Sequence, residues 1–76
     1  MAREQRIEIL AEMVANVLNV PVEVGDAVAI GDIVVLLESM KMEIPVMAEA
    51  GGTVTAVKVA AGDVVQEGDP LVELTL

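Results

Sequence analysis

Apolar and polar residues alternate in two stretches of the chain. Val20, Val22 and Val24 alternate with Asn19, Pro21 and Glu23, and Val57, Val59 and Ala61 alternate with Ala56, Lys58 and Ala60. A period of two lines up side chains on one face of a pleated ribbon, so both stretches predict strands. Ile33 to Leu37 is an unbroken apolar run, as expected of a strand buried on both faces or nearly so. Gly-Asp pairs punctuate these segments, glycine tolerating positive φ and aspartate bonding nearby backbone, which marks turns. Pro21 and Pro70 have no amide hydrogen to give to a ladder, which predicts strand starts or edges for them.

The pattern occurs twice. Residues 7–37 and 44–74 align without a gap at an offset of 37, with 13 of 31 positions identical. The most regular stretch is Gly-Asp-x-Val-x-x-Gly-Asp, at residues 25–32 and again at 62–69. Valine is common enough to match by chance, but glycines and aspartates falling in register four times over are not. One local signal competes with this reading. Ile7, Leu10, Ala11 and Val14 fall at helical spacing behind a helix-friendly Arg-Glu-Gln-Arg, so residues 3–18 alone would predict an amphipathic helix. The equivalent residues 44–51 contain Pro45 and lead into Gly51-Gly52, which are poor helix interiors. Two copies of one unit share one conformation, so Ile7 to Ala11 is expected to be a strand.

Two half-domains that each bury one face pack those faces together, giving a single all-β sandwich or flattened barrel over residues 1–76. A pseudo-twofold between the halves puts the connection at residues 38–43 at one end and both termini towards the other.

Composition narrows the chemistry. In 76 residues there is no cysteine, no histidine and no aromatic residue. This removes disulfides, thiolate metal sites and the usual general base near neutral pH. With no catalytic constellation left, the chain is not expected to be an enzyme. Four basic against 13 acidic residues give a net charge of −9, which repels nucleic acid and anionic membranes and favours a monomer. The longest apolar run is five residues, far below the roughly 20 of a membrane span. The opening Met-Ala-Arg-Glu-Gln-Arg and the following Glu8 and Glu12 form no apolar signal core. A cytoplasmic location is the expectation.

Chemistry can then reside in the connection Glu-Ser-Met-Lys-Met-Glu. Lys41 is one of two lysines and stands at the seam between the repeats, flanked by Met40 and Met42. The simplest account is a solvated lysine held by nearby carboxylates, an arrangement that contributes roughly 0–1 kcal/mol. That account leaves the methionines unexplained, because apolar side chains exposed at a tip mark a contact site and methionine adapts to varied partners. Their other reading is partial packing onto the end of the barrel.

Ser-Met-Lys-Met at 39–42, preceded by Gly-Asp-x-x-x-x-Leu-Leu-Glu at 31–38 and followed by a second Gly-Asp turn, resembles the biotin carboxyl carrier (biotinyl) domain family. The similarity covers residues 7–76. It implies a flattened barrel-sandwich of two four-stranded antiparallel sheets, with Lys41 on an exposed hairpin turn. It also implies covalent biotin on Lys41, attached by a biotin protein ligase through biotinoyl-adenylate. Carboxyl groups would then pass from a biotin carboxylase to a carboxyltransferase, with Met40 and Met42 as contacts. This sequence departs from the family pattern at Ser39, where a small apolar residue is usual. It departs again at Leu10-Ala11-Glu12-Met13-Val14-Ala15, which lacks the customary Pro and Gly of the first turn and leaves that turn's geometry open. Residues 17–24 run straight into Gly25, leaving no room for the protruding loop of some bacterial carriers. A lipoyl carrier shares the fold but usually shows Asp-Lys-Ala, and an unmodified adaptor domain is the third reading.

Overall fold

The structure, a computed structural model, describes residues 5–76; residues 1–4, which include the head of the helix-friendly stretch, lie outside the described residues. Eight strands follow in order: β1 (Arg6–Leu10), β2 (Ala15–Asn19), β3 (Ala27–Val28), β4 (Ile33–Ser39), β5 (Met42–Met47), β6 (Gly52–Val57), β7 (Val64–Val65) and β8 (Pro70–Thr75). They form two antiparallel four-stranded sheets, ordered β1-β8-β6-β3 and β5-β4-β2-β7. The expected all-β sandwich is present.

Adding 37 to β1 through β4 yields β5 through β8, and the same shift exchanges the two sheets. Even the irregularities repeat. The β2–β4 register slips between Val17 and Asn19, and the β6–β8 register slips between Val54 and Ala56. A second slip, at Ile9/Leu10 where β1 meets β8, has its counterpart at Ile33/Val35 where β4 meets β5. These bulges allow consecutive residues to point inward, so Val34 and Val35 are both fully buried, as are Leu71 and Val72. They close the core with Val17, Leu37, Val54, Val65 and Leu74.

β1 confirms the strand expected at Ile7 to Ala11, ending one residue earlier. Its pairing with β8, from Arg6 opposite Thr75 onward, overrides the local helical spacing. Two other expectations are corrected. Residues 20–24 and 57–61 are not strands: β2 ends at Asn19 and β6 at Val57. After each end the chain crosses from one sheet to the other, so Val20, Val22 and Val59 pack against the core from outside the ladders, Val57 does so as the last paired residue of β6 opposite Val72, and Val24 is left exposed. Pro21 lies in this crossover, outside any strand, whereas Pro70 opens β8 and Pro45 sits in the edge strand β5. The run Ile33 to Leu37 is not buried on both faces either. Ile33 is exposed and Leu36 is only half-buried, outside the core, because the bulge turns Val34 and Val35 inward and leaves Leu36 on the outer face.

The Gly-Asp turns lace the halves together. In each, the glycine takes a left-handed φ between 90° and 98°, and the aspartate carboxylate accepts an N–H three residues back at 2.9 Å. The glycine N–H and aspartate carbonyl then engage a single residue of the opposite repeat: Gly25 and Asp26 bond Val54, while Gly62 and Asp63 bond Val17, at 2.8 Å throughout. Gly31 and Asp32 hold Ala48 in the same way, and Gly68 and Asp69 hold Ala11.

At one end β4 and β5 meet in a hairpin. At the other, Leu76 N–H donates to the Gln5 carbonyl at 2.8 Å, where the repeat would have its second hairpin. β1 leaves that terminal end and the chain re-enters as β2, whose Asn16 lies opposite Glu38 beside the hairpin. The hairpin and the described termini therefore occupy opposite ends, as the pseudo-twofold predicts.

A Cβ on Gly62 meets no atom within 4 Å, so the cost of Gly62→Ala is conformational alone. We expect about 1–2 kcal/mol of destabilisation in denaturant unfolding. Gly51→Ala, without a positive φ and with only an ordinary 3.5 Å contact to the Val28 carbonyl, should change stability by less than about 0.5 kcal/mol.

Candidate functional site

The β4–β5 ladder runs in register to Ser39 opposite Met42, which leaves Met40 and Lys41 as the whole turn. The connection expected at residues 38–43 is thus a two-residue hairpin loop, with Glu38, Ser39, Met42 and Glu43 already in the strands. A two-residue loop of the type I′ kind, whose twist matches its strands, needs φ > 0 at both positions, which explains the usual preference for Asn-Gly. Here the φ values are 53° at Met40 and 65° at Lys41, and among the described residues no other non-glycine takes a positive φ. Left-handed backbone costs a residue with a Cβ roughly 1–2 kcal/mol. The strong β4–β5 pairing holds the strain in place, and such strain concentrates at functional sites.

The strain has a visible result. Met40 is 91% exposed, Met42 is 65% exposed, and Lys41 stands exposed between them. Neither methionine packs onto the barrel end as a core residue would. Lys41 forms no ion pair with any described carboxylate. Glu38 and Glu43 are instead cross-strand partners of each other, a like-charge pairing that is unfavourable on its own. The account of a lysine held loosely by neighbouring carboxylates therefore does not describe this tip.

The tip is convex. One concavity runs between the edge strands β1 and β5, and another is framed by the crossovers at residues 20–24 and 57–61; Met40, Lys41 and Met42 line neither. A protruding primary amine in this setting can be acylated by a partner that encloses it. Lys41, Met40 and Met42, consecutive in the chain, are all exposed at this tip. The structure adds Val14, 64% exposed, which immediately precedes β2 and so lies at the hairpin end, with Met13 (39% exposed) before it. Sequence reading met these two only as a departure from a Pro-Gly turn, because their approach to the hairpin depends on the Asn16–Glu38 pairing.

Comparison with known proteins agrees with this geometry. Residues 8–74 match the family described as biotin-requiring enzyme. The biotinylated protein TB7.3 of Mycobacterium tuberculosis is 64% identical over 39 residues, which is 51% of this chain and 55% of that protein. Its homologue in Mycobacterium leprae is 62% identical over the same length and shares. The chain thus matches about half the length of these curated relatives. Among solved structures, a single-chain, multi-domain long-chain acyl-CoA carboxylase superposes with a TM-score of 0.87 at 31% identity, covering 92% of this chain and 7% of that one. The urea carboxylase of Kluyveromyces lactis gives 0.87 at 28% identity, covering 97% of this chain and 6% of that one.

If the turn stores left-handed strain, replacing Met40 and Lys41 together by Asn and Gly should raise unfolding free energy by about 1 kcal/mol. Equilibrium urea denaturation checks this, and unchanged or lower stability would show that the tip is relaxed.

Proposed function

The chain belongs to the biotin-requiring family, and from that premise we propose that Lys41 is the residue that carries its biotin. One observation supports the assignment above all: Lys41 is lifted into solvent by a non-glycine left-handed turn, with no partner among the described groups. The residues fit the group chemically. An exposed primary amine on a projecting loop can enter a ligase, and two adaptable thioethers flank it.

Lysine amines in water are largely protonated at neutral pH and weakly nucleophilic. A biotin protein ligase would therefore supply both a base and an activated biotin carboxyl group. Lys41 Nζ would give up its proton to that base and attack the activated carboxyl carbon, forming an amide as the activating group leaves. Biotin, when bound, supplies a ureido nitrogen that can accept a carboxyl group and release it elsewhere. The domain's own part is mechanical and recognitive. Rigid strands hold the arm's root, and tethering makes each new encounter intramolecular. Met40 and Met42 present the apolar contact at which a ligase, a biotin carboxylase and a carboxyltransferase would each recognise the tip. The chain itself acts as a non-catalytic carrier.

A lipoyl carrier is disfavoured because Lys41 is flanked by methionines rather than by the Asp and Ala usual in that group.

Coexpression with a biotin ligase and excess biotin should increase the intact mass by one biotin, and Lys41→Arg should abolish the increase. A label retained in the Lys41→Arg protein, or a lipoyl adduct in its place, would overturn the assignment. Met42→Ala should leave thermal stability within about 0.5 kcal/mol of the parent, as expected for an exposed side chain, while slowing ligation; a large loss of stability would assign Met42 to the core.

A further inference from the structure

The two sheets have the same backbone and different outer faces. On the β1-β8-β6-β3 sheet, the outward row is polar and bonded. Thr55 Oγ1 donates to Glu73 Oε1 at 3.0 Å, Arg6 pairs with Glu73 at 3.9 Å, and Glu8 is the cross-strand neighbour of Glu73. Subtracting or adding 37 turns Thr55, Glu73 and Glu8 into Leu18, Leu36 and Pro45 on the other sheet. Leu36 lies opposite Pro45 across the ladder, and Leu18 occupies the bulge beside Leu36 just as Thr55 does beside Glu73. None of the three belongs to the core or packs against it. Ile33 and Met47, cross-strand partners 45% and 50% exposed, extend the strip away from the hairpin.

At Leu18, Leu36 and Pro45 the fold does not require an apolar residue, because Thr55, Glu73 and Glu8 serve the same positions in the other half, whereas Ile33 and Met47 have apolar equivalents in Pro70 and Leu10. A solvated sheet face normally carries polar side chains. We propose that the outer face of the β5-β4-β2-β7 sheet is a docking surface for a protein partner that presents an apolar strip bordered by lysine or arginine. Charge identifies the partner. At the hairpin end the strip terminates at Glu38 and Glu43, carboxylates set directly opposite each other and unfavourable until a cation lies between them. A second copy of the chain would bring a further net charge of −9 and the same carboxylates, so self-association is opposed. A cationic partner neutralises the pair and covers the strip in one contact. Because this sheet also bears the hairpin, a partner seated here holds the molecule while the tip stays free. The inference goes beyond the carrier reading and does not require Lys41 to be modified.

The test titrates the full isotopically labelled chain with a short peptide of alternating leucine and lysine, followed by amide NMR shifts. Shifts should concentrate in β2, β4 and β5. The double variant Leu18→Thr/Leu36→Glu installs the chemistry already tolerated on the opposite sheet, so its melting curve should remain cooperative while peptide affinity falls at least fivefold. Glu38→Gln/Glu43→Gln, which leaves the apolar row intact, should weaken binding about threefold and reduce its salt dependence. A leucine-glutamate peptide should cause no shifts. Shifts spread evenly over the surface, affinity unchanged in the first variant, or a sedimenting dimer abolished by it would each overturn the proposal. Mass gain on biotinylation, read in the same variant, reports on Lys41 separately.

Discussion

Neither half of this domain can satisfy its own turns. Each Gly-Asp pair points a glycine N–H and an aspartate carbonyl at one residue in the other repeat, and the four pairs together make eight backbone bonds between the halves. A bond of this kind contributes on the order of 1 kcal/mol net, but leaving the same groups unpaired against a buried core costs more. The pattern is therefore all-or-none: the halves fold against each other or not at all. This constraint accounts for how a chain without disulfides or aromatic residues holds a core built largely of valine and leucine. It also accounts for the glycines. Each must take a left-handed φ to aim its N–H across the interface, and the following aspartate carboxylate closes the turn from within.

The same lacing explains where strain can be kept. Under the pseudo-twofold, the position equivalent to the hairpin holds the chain ends, joined by the Leu76–Gln5 bond. The hairpin is thus the one covalent link between two otherwise reciprocal halves. Ladder pairing from Ile33–Met47 to Ser39–Met42 fixes its register before the turn is reached, so Met40 and Lys41 adopt whatever backbone closes the gap. Unpaired strands would relax it, since a residue with a Cβ avoids that region. Rigidity built by the Gly-Asp turns is thereby converted into a tip with an outward amine. Glycine at position 40 would close the loop more easily and present nothing to a partner.

Most of this was legible in the residues. The offset of 37 carried the fold, because glycine and aspartate in register mean the same turn twice, and the seam between the copies singled out Lys41. Misreadings arose where local pattern and tertiary role part company. Alternating valines at 20–24 looked like a strand, yet alternation records only which side is buried, and a crossover that caps a core buries one side too. Ile33 to Leu37 looked doubly buried because a bulge, which depends on partner register, cannot be seen in one strand alone. Met13 and Val14 gave no sign of their place near the hairpin for the same reason. Left-handed φ at Met40 and Lys41 was equally invisible, since neither residue type announces it; loop length, set by Ser39 meeting Met42, imposes it.

A duplicated fold offers a comparison that ordinary domains lack, since each position has a twin in the same solvent and the same backbone. Where twins agree, as at Gly25 and Gly62 or Val35 and Val72, the shared geometry suffices as the reason. Where they disagree without structural need, the reason lies outside the fold. Leu36 against Glu73 is such a case, because the glutamate shows that a bonded polar side chain is compatible with that bulged ladder. The differences gather on one sheet, the one that ends in the hairpin. Selection for stability alone would act alike on both faces, so the apolar residues at 18, 36 and 45, which stand where the other sheet has Thr55, Glu73 and Glu8, require a cause that approaches from the lysine-bearing side.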